Sequence, residues 1–298
     1  CEMSNTFHKS GYVSIVGNPN VGKSTLVNKL IGRDLTITTP KAQTTRHRIL
    51  GLINGENYQL VLSDTPGIID PAYEMQNSMM NFVKESLVDA DVLIYMIAID
   101  EDQTRDEKLL DKIKKIKIPL LVLINKIDSS NQKDLESAVS YWSSVFPSAK
   151  IIPISALTGF FVEELLQIII ELLPESPAYF PKDQLSDKSE RFFVNEAIRK
   201  SILQIYDKEV PYAVEVITES FKEEEKIIRI QSVIFVERDT QKGIIIGHKG
   251  EQLKRVGTSA RKDIQTFFGK KVHLELFVKV EKNWRSNPKQ LKRFGYRQ

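Results

Sequence analysis

Residues 17–25 read GNPNVGKST and stand between an apolar, β-branched run at 12–16 and a helical apolar face made by Leu26, Val27, Leu30 and Ile31. A strand that passes through a glycine-rich loop directly into a helix commits the chain to an α/β architecture, because the loop needs both flanks. Backbone N–H groups converge on an anion only where Gly17 and Gly22 keep side chains away, and the helix N-terminus behind them presents positive charge to it. Lys23 then reaches the β and γ phosphates of a nucleotide as a point charge, and the Ser24 hydroxyl ligates Mg²⁺. Asn18, Pro19, Asn20, Val21 and Thr25 complete the expected cradle.

Three further segments follow at consistent places. After the apolar run 58–62 comes DTPG, in which Asp64 holds the magnesium through a water and the Gly67 N–H senses the γ-phosphate, with Thr65 and Pro66 between them. Alone this string is also a good turn; its place behind the phosphate loop gives it meaning. After the run 120–124 comes NKID. Asp128 accepts hydrogen bonds from N1–H and the 2-amino group of guanine, whereas adenine offers no donor at either place and would leave a buried acceptor unpaired. GTP is therefore favoured over ATP, and a metabolic kinase is disfavoured. Asn125 and the stem of Lys126 are expected to flank the base. After the run 150–154, Ser155 and Ala156 are expected to bring a backbone donor to the guanine oxygen, with Leu157 closing that loop.

From about residue 12 to 173 strands alternate with helical segments, the signature of an open, mostly parallel, doubly wound sheet with its nucleotide loops at the carboxyl edge. Residues 36–48 and 67–78 are polar or irregular and read as switches. Pro174, Pro177 and Pro181, among alternating charges, stop the last helix and read as a linker. The expected organisation is a tail at 1–10, a nucleotide domain at 11–174, a linker at 175–189, a second domain at 190–281 and a basic tail at 282–298. A length of 298 residues agrees with about two domains.

The second part reads as a helix at 191–206, strands at 213–218 and 226–236 around an acidic turn, a glycine loop, a helix with Leu253, Val256, Ala260, Ile264 and Phe267 on one face, and a strand at 272–280. In that last strand Val272, Leu274, Leu276, Val278 and Val280 alternate with polar residues. Its charge differs from that of the first part. Residues 1–175 carry 17 Lys and Arg against 22 Asp and Glu, residues 176–298 carry 25 against 17, and residues 242–298 alone hold 15 basic and 4 acidic side chains. That imbalance fits a polyanionic partner. Inside it, Gly247, His248, Lys249 and Gly250 resemble the GxxG loop of a KH domain, where two glycines let the backbone approach a nucleic-acid strand and a helix N-terminus follows. The adjacent Ile244, Ile245 and Ile246 are expected to floor a groove for unstacked bases.

The longest apolar stretches, 92–99 and 165–173, are too short or too polar to cross a bilayer, and the first ten residues lack the basic and apolar regions of a secretory signal. Cys1 is the sole cysteine, so one chain forms no disulfide and no cysteine metal cluster. A reducing, cytoplasmic compartment is expected. Cys1 itself has two readings, a processed, lipid-modified terminus or an artefact ahead of Met3, of which the second is favoured. His8, His47, His248 and His273 show no metal-ligand spacing.

Taken together, GNPNVGKST, KAQTTRHR, DTPG, NKID, SAL, GIIIGHKGEQLK and the ending EKNWRSNPKQLKRFGY resemble the Era family, the bacterial KH-domain GTPases of small ribosomal subunit assembly. The likeness covers about residues 11–296. QTTRHR and the KxW…L…GY ending are more specific than the shared GTPase motifs, and the single GKS separates the chain from Der-type GTPases, which have two. The resemblance implies a P-loop GTPase domain followed by an α+β type II KH domain, GTP/GDP and Mg²⁺ as ligands, and GTP hydrolysis. It places the first switch at 43–47, with Thr45 as the second hydroxyl on Mg²⁺ beside Ser24. It implies that Ile246, Gly247, His248, Lys249, Gly250 and Lys254 bind single-stranded RNA near the 3′ end of 16S ribosomal RNA on the 30S subunit. Residues after Glu281 would help to hold that RNA, with Trp284 either packing or stacking on a base. The family also implies a cytoplasmic monomer with peripheral contact at the inner face of the membrane.

One departure bears on mechanism. Ile68 follows DTPG where many switch GTPases carry a glutamine that orients the attacking water. Catalysis is then expected to rely on Lys23, Thr45, Gly67 and Mg²⁺; Asn20 matches the potassium-ligating asparagine of related GTPases, and two readings of it stay open, a ligand for K⁺ or a residue that merely shapes the loop. GTP would order Gln43 to Thr45 and the chain beyond Gly67, and hydrolysis would release them. Two rival functions remain open at this point: an RNA scaffold that binds nucleotide for stability, and a peripheral membrane regulator with incidental turnover.

Overall fold

The structure, a computed structural model, describes residues 7–101 and 107–296; the two readings of Cys1 lie outside them. It divides into two compact units. The first comprises the residues up to Thr36, Thr45–Ile69 and Asn81–Asp187, and the second Ile37–Thr44, Asp70–Met80 and the chain from Lys188 onward.

Through the nucleotide part the chain runs β1 (Lys9–Val16), α1 (Lys23–Ile31), β2 (Ile49–Asn54), β3 (Tyr58–Asp64), α2 (Glu74–Asp89), β4 (Val92–Ala98), α3 (Glu107–Lys114), β5 (Leu120–Asn125), α4 (Gln132–Val145), β6 (Lys150–Pro153) and α5 (Val162–Leu172). The strand order is β2-β3-β1-β4-β5-β6, with β2 antiparallel to β3 and the other pairs parallel. Every residue of β4, VLIYMIA, is buried, as a central strand covered on both faces requires. Val13, Ile15, Leu26, Ile94, Leu123 and Ile169 meet in the core beneath it. Helix α1 starts from Gly22 at φ 103° and ends at Gly32 at φ 80°, whose amide returns to the Asn28 carbonyl; both angles lie in the left-handed region that glycine enters at little cost.

Two expectations change here. The irregular stretch after Gly67 ends at Glu74, where α2 begins, and does not run on to Ser78. The proline-rich stretch after α5 is docked on the first unit. The Leu52 amide donates to the Leu185 carbonyl at 2.9 Å, the Ser186 hydroxyl donates to the Leu50 carbonyl at 2.6 Å, and Gln59 accepts from the amides of Tyr179 and Phe180. The physical reason is the exposed edge of β2, whose unpaired backbone groups this segment covers.

In the second unit α6 (Glu190–Ile205) leads to β7 (Glu215–Glu223), β8 (Ile227–Val236), α7 (Asp239–Ile246), α8 (Glu251–Phe268), β9 (Lys271–Val280) and α9 (Pro288–Arg293). The sheet order is β7-β8-β9, antiparallel then parallel. Strand β7 starts at Glu215 rather than 213 because Val210–Tyr212 forms a 3-10 turn, and it runs on to Glu223 past a bulge between Thr218 and Ser220. Val194, Ile198 and Ile202 of α6, Val256, Ala260 and Ile264 of α8, and Val272 and Val278 of β9 form its core. The expected alternation along β9 is therefore the packing that buries it.

The chain end also belongs to this unit. Trp284 is fully buried, its Nε1 donates to the Ala213 carbonyl at 2.9 Å, and its ring meets Phe294 edge-on at 5.3 Å. A base-stacking role for Trp284 is thereby corrected: the ring has no face open to a nucleotide, and its indole N–H has the partner that a buried Trp needs. Phe294 and Tyr296 are buried beside it.

Candidate nucleotide and nucleic-acid sites

The phosphate loop is organised by its own lysine. Lys23 Nζ donates to the carbonyls of Gly17 at 3.0 Å and Asn18 at 2.7 Å, so the side chain lies folded into the cradle. Burial lowers its pKa to about 8, opposed by the charges of Asp64 and Glu101. A dehydrated ammonium gains when a polyphosphate replaces lost water. Glu101, which sequence reasoning missed, also accepts from the Asn18 side-chain amide. Asn20 is exposed at the outer turn, at φ 63°.

Beside Lys23, three oxygens converge. Ser24 Oγ meets Thr45 Oγ1 at 2.9 Å and donates to Asp64 Oδ2 at 2.8 Å. Asp64 Oδ1 is buried with no hydrogen-bond partner. Burial raises the carboxyl pKa to about 6, against the lowering effects of the Ser24 hydrogen bond and Lys23. Two hydroxyls and an under-satisfied carboxylate form a hard-oxygen donor set of the kind that suits Mg²⁺. The expected ligands therefore meet, although Ser24 and Thr45 are 21 residues apart.

The rest of DTPG supports this place. Thr65 is fully buried and its hydroxyl donates to the Ile15 carbonyl at 2.8 Å, so that side chain ties β3 to β1 and does not face a ligand. The Ile68 amide donates to the Gly17 carbonyl at 3.1 Å, which brings Gly67 against the phosphate loop.

The base-reading segments are joined through Asn125. It is buried, its Nδ2 donates to the Val21 carbonyl at 2.7 Å, and its Oδ1 accepts the Ala156 amide at 2.9 Å. One side chain thus fixes the phosphate loop against the SAL loop, and the Ala156 N–H expected to serve the guanine oxygen is paired with Asn125. A buried amide side chain needs such partners at both ends. Asp128 is exposed and oriented by Ser155, whose Oγ donates to Oδ1 at 2.6 Å. Lys126 turns the chain between them at φ 65°, and Leu157 is 71% exposed at the loop tip.

In the second unit Gly247, Lys249 and Gly250 all have positive φ, at 72°, 49° and 80°, so the chain turns sharply between α7 and α8. His248 and Lys249 are exposed, as is Lys254 one turn into α8. Of the three isoleucines before the loop, Ile245 is fully buried in the core, Ile246 is half-buried and Ile244 is 48% exposed. They do not form one groove floor, because a helix sends adjacent residues to different faces. Arg255, Thr258 and Lys262, which the sequence reading did not single out, line a groove with Lys254, Ile205 and two carboxylates, Glu251 and Asp263. Their recurrence on the polar face of α8 was the available signal.

A family model described as 50S ribosome-binding GTPase matches residues 12–126, and one described as KH domain matches residues 209–285. The chain is similar to GTPase Era of Staphylococcus epidermidis, with 42% identity over 293 residues that cover 98% of each chain. It is also similar to the crystal structure of Era in complex with MgGDPNP and nucleotides 1506–1542 of 16S ribosomal RNA, at 39% identity and a TM-score of 0.93 over 98% of this chain and 100% of that one. A variant of Aquifex aeolicus Era bound to GDP·AlF4⁻ gives 39% identity and a TM-score of 0.93 over 97% and 100%.

Proposed function

This chain belongs to the Era family of GTPases, and on that premise we propose that it binds GTP with Mg²⁺, hydrolyses it to GDP and phosphate, and holds the 3′ region of 16S ribosomal RNA through its KH domain during assembly of the small ribosomal subunit. The observation that carries the reading is the meeting of Ser24, Thr45 and Asp64 beside Lys23. When bound, Mg²⁺ neutralises charge on the β and γ phosphates. Ser24 and Thr45 would hold it directly and Asp64 through a water, while Lys23 adds its charge and the Gly67 N–H meets the γ-phosphate. Ile68 has no polar side-chain atom, so orienting the attacking water falls to backbone groups near Thr45 and Gly67.

Asn20 is the residue that would hold a K⁺ ion against the phosphates. Single-turnover hydrolysis should then run about tenfold faster in K⁺ than in Na⁺, the worth of about 1.4 kcal/mol of extra charge stabilisation, and Asn20→Ala should remove the difference. Equal rates in the two salts would dismiss this role.

On the RNA side, the exposed His248 and Lys249 and the basic face of α8 support binding of a single strand. Selection of RNA from a lysate with a non-hydrolysable GTP analogue or with GDP tests the whole reading. Enrichment of the 16S 3′ terminus with the analogue is expected. Identical enrichment in both states, at matched salt, would refute the coupling of nucleotide to RNA. The reading places the chain in the cytoplasm as a monomer, with contact at the inner face of the membrane peripheral.

A further inference from the structure

A single guanidinium ties the leg that leads away from Thr45 to the strand that supplies Asp64. Arg48 stands three residues after Thr45 and directly before β2. Its Nε donates to Ser63 Oγ at 2.7 Å, and its Nη1 donates to Asp89 Oδ2 at 2.6 Å, at the end of α2. Ser63 is fully buried and immediately precedes Asp64. It lies opposite Ser14 of β1 and Leu50 of β2, so it is held from both sides and forms the rigid end of the bond. The β2–β3 register begins with Ile49 opposite Asp64, which makes Arg48 the first residue beyond the paired strand on the side of Thr45. The neighbouring His47 packs on Phe82 of α2, with ring centroids 5.8 Å apart. Thr45, whose hydroxyl is 2.9 Å from Ser24 Oγ, belongs with all of these residues to the first unit.

The Arg48 side chain is only 13% exposed, whereas that of Asp89 is 49% exposed. Solvent screens the outer ion pair, so the bond to buried Ser63 is the firmer of the two, and the planar fork holds both at fixed angles. We propose that Arg48 is a positioning residue for GTP hydrolysis: by anchoring the 46–48 leg to Ser63 it sets where the Thr45 hydroxyl stands beside Ser24 and Asp64. This rests on the GTPase reading above. Arg48 itself touches neither the metal nor the nucleotide in this role. Switch segments are ordered by Mg²⁺ with a γ-phosphate and released with a diphosphate, so a loosened leg weakens the triphosphate state selectively and leaves the diphosphate state alone.

The test compares the full chain as wild type, Arg48→Met, Ser63→Ala and the double variant, with folding checked by melting curves. Arg229→Met, at an exposed ion pair with Glu224, is the control. Affinities for fluorescent GDP and for a non-hydrolysable GTP analogue are measured with Mg²⁺ and in EDTA, beside single-turnover hydrolysis. Each single variant should lose about tenfold in analogue affinity with Mg²⁺, the lower end of what removing a residue that orients a metal ligand costs, and hydrolysis should fall in parallel. GDP affinity should stay within about twofold, and the analogue loss should vanish in EDTA. The double variant should lose no more than either single one, because both substitutions remove the same bond. An analogue-to-GDP affinity ratio equal to wild type in either folded single variant would overturn the inference, as would losses that multiply in the double variant. So would failure of both single variants to fold, which would make the bond structural. If the wild-type chain itself neither hydrolyses GTP nor binds the analogue with Mg²⁺, the GTPase reading fails instead.

Discussion

Asp128→Ala is expected to lower GTP affinity by about 100- to 10,000-fold while changing ATP affinity less than about threefold. The carboxylate is the acceptor for the two guanine donors, and hydrogen bonds to a charged group contribute about 1.5–3 kcal/mol each, so two of them span that range. Adenine uses neither donor, which is why ATP should hardly notice. Ser155 Oγ orients the carboxylate at 2.6 Å, so Ser155→Ala should give a smaller loss in the same direction. Calorimetric titration of both nucleotides in Mg²⁺ measures the effect. Equal losses for GTP and ATP would mean that Asp128 supports the loop rather than reads the base.

Gly17→Ala should destabilise the first unit by about 3 kcal/mol or more and abolish the thermal protection that GTP gives. A Cβ at this position would lie 2.3 Å from the Met96 carbonyl oxygen and 3.2 Å from Val21 Cγ2. Met96 sits on the fully buried β4, hydrogen-bonded between β1 and β5, so the backbone has nowhere to yield, and overpacking of this kind sits at or beyond the usual 1–3 kcal/mol. The cost reaches the site as well, because the Gly17 carbonyl accepts from both Lys23 and the Ile68 amide. Melting curves with and without Mg·GTP check both parts: the wild type should melt later with ligand by mass action, and the variant should melt early with no shift. A variant that retained the ligand shift would show that the loop tolerates displacement of this carbonyl.

Much of this arrangement was legible in the residues. Buried parallel strands read as continuous apolar runs, so β1, β3 and β5 and the loops at their ends followed from sequence. The Ser24, Thr45 and Asp64 meeting was anticipated because each lies in a segment with its own signature. The ties made by Asn125 were not legible because its partners, Val21 and Ala156, lie 104 and 31 residues away, and a bond between distant segments leaves no local pattern. Trp284 was ambiguous for a related reason: its neighbours Lys282 and Arg285 suggest an RNA surface, while the Ala213 carbonyl that claims its indole is 71 residues earlier.

The grouping of Ile37–Thr44 and Asp70–Met80 with the chain beyond Lys188 bears on how a minimal fragment would behave. A truncation ending at Asp187 would look like a complete nucleotide domain by its motifs, yet it would keep segments 37–44 and 70–80 and discard the rest of the compact unit they belong to. Turnover measured on such a half-molecule would describe those two segments without the unit in which they pack.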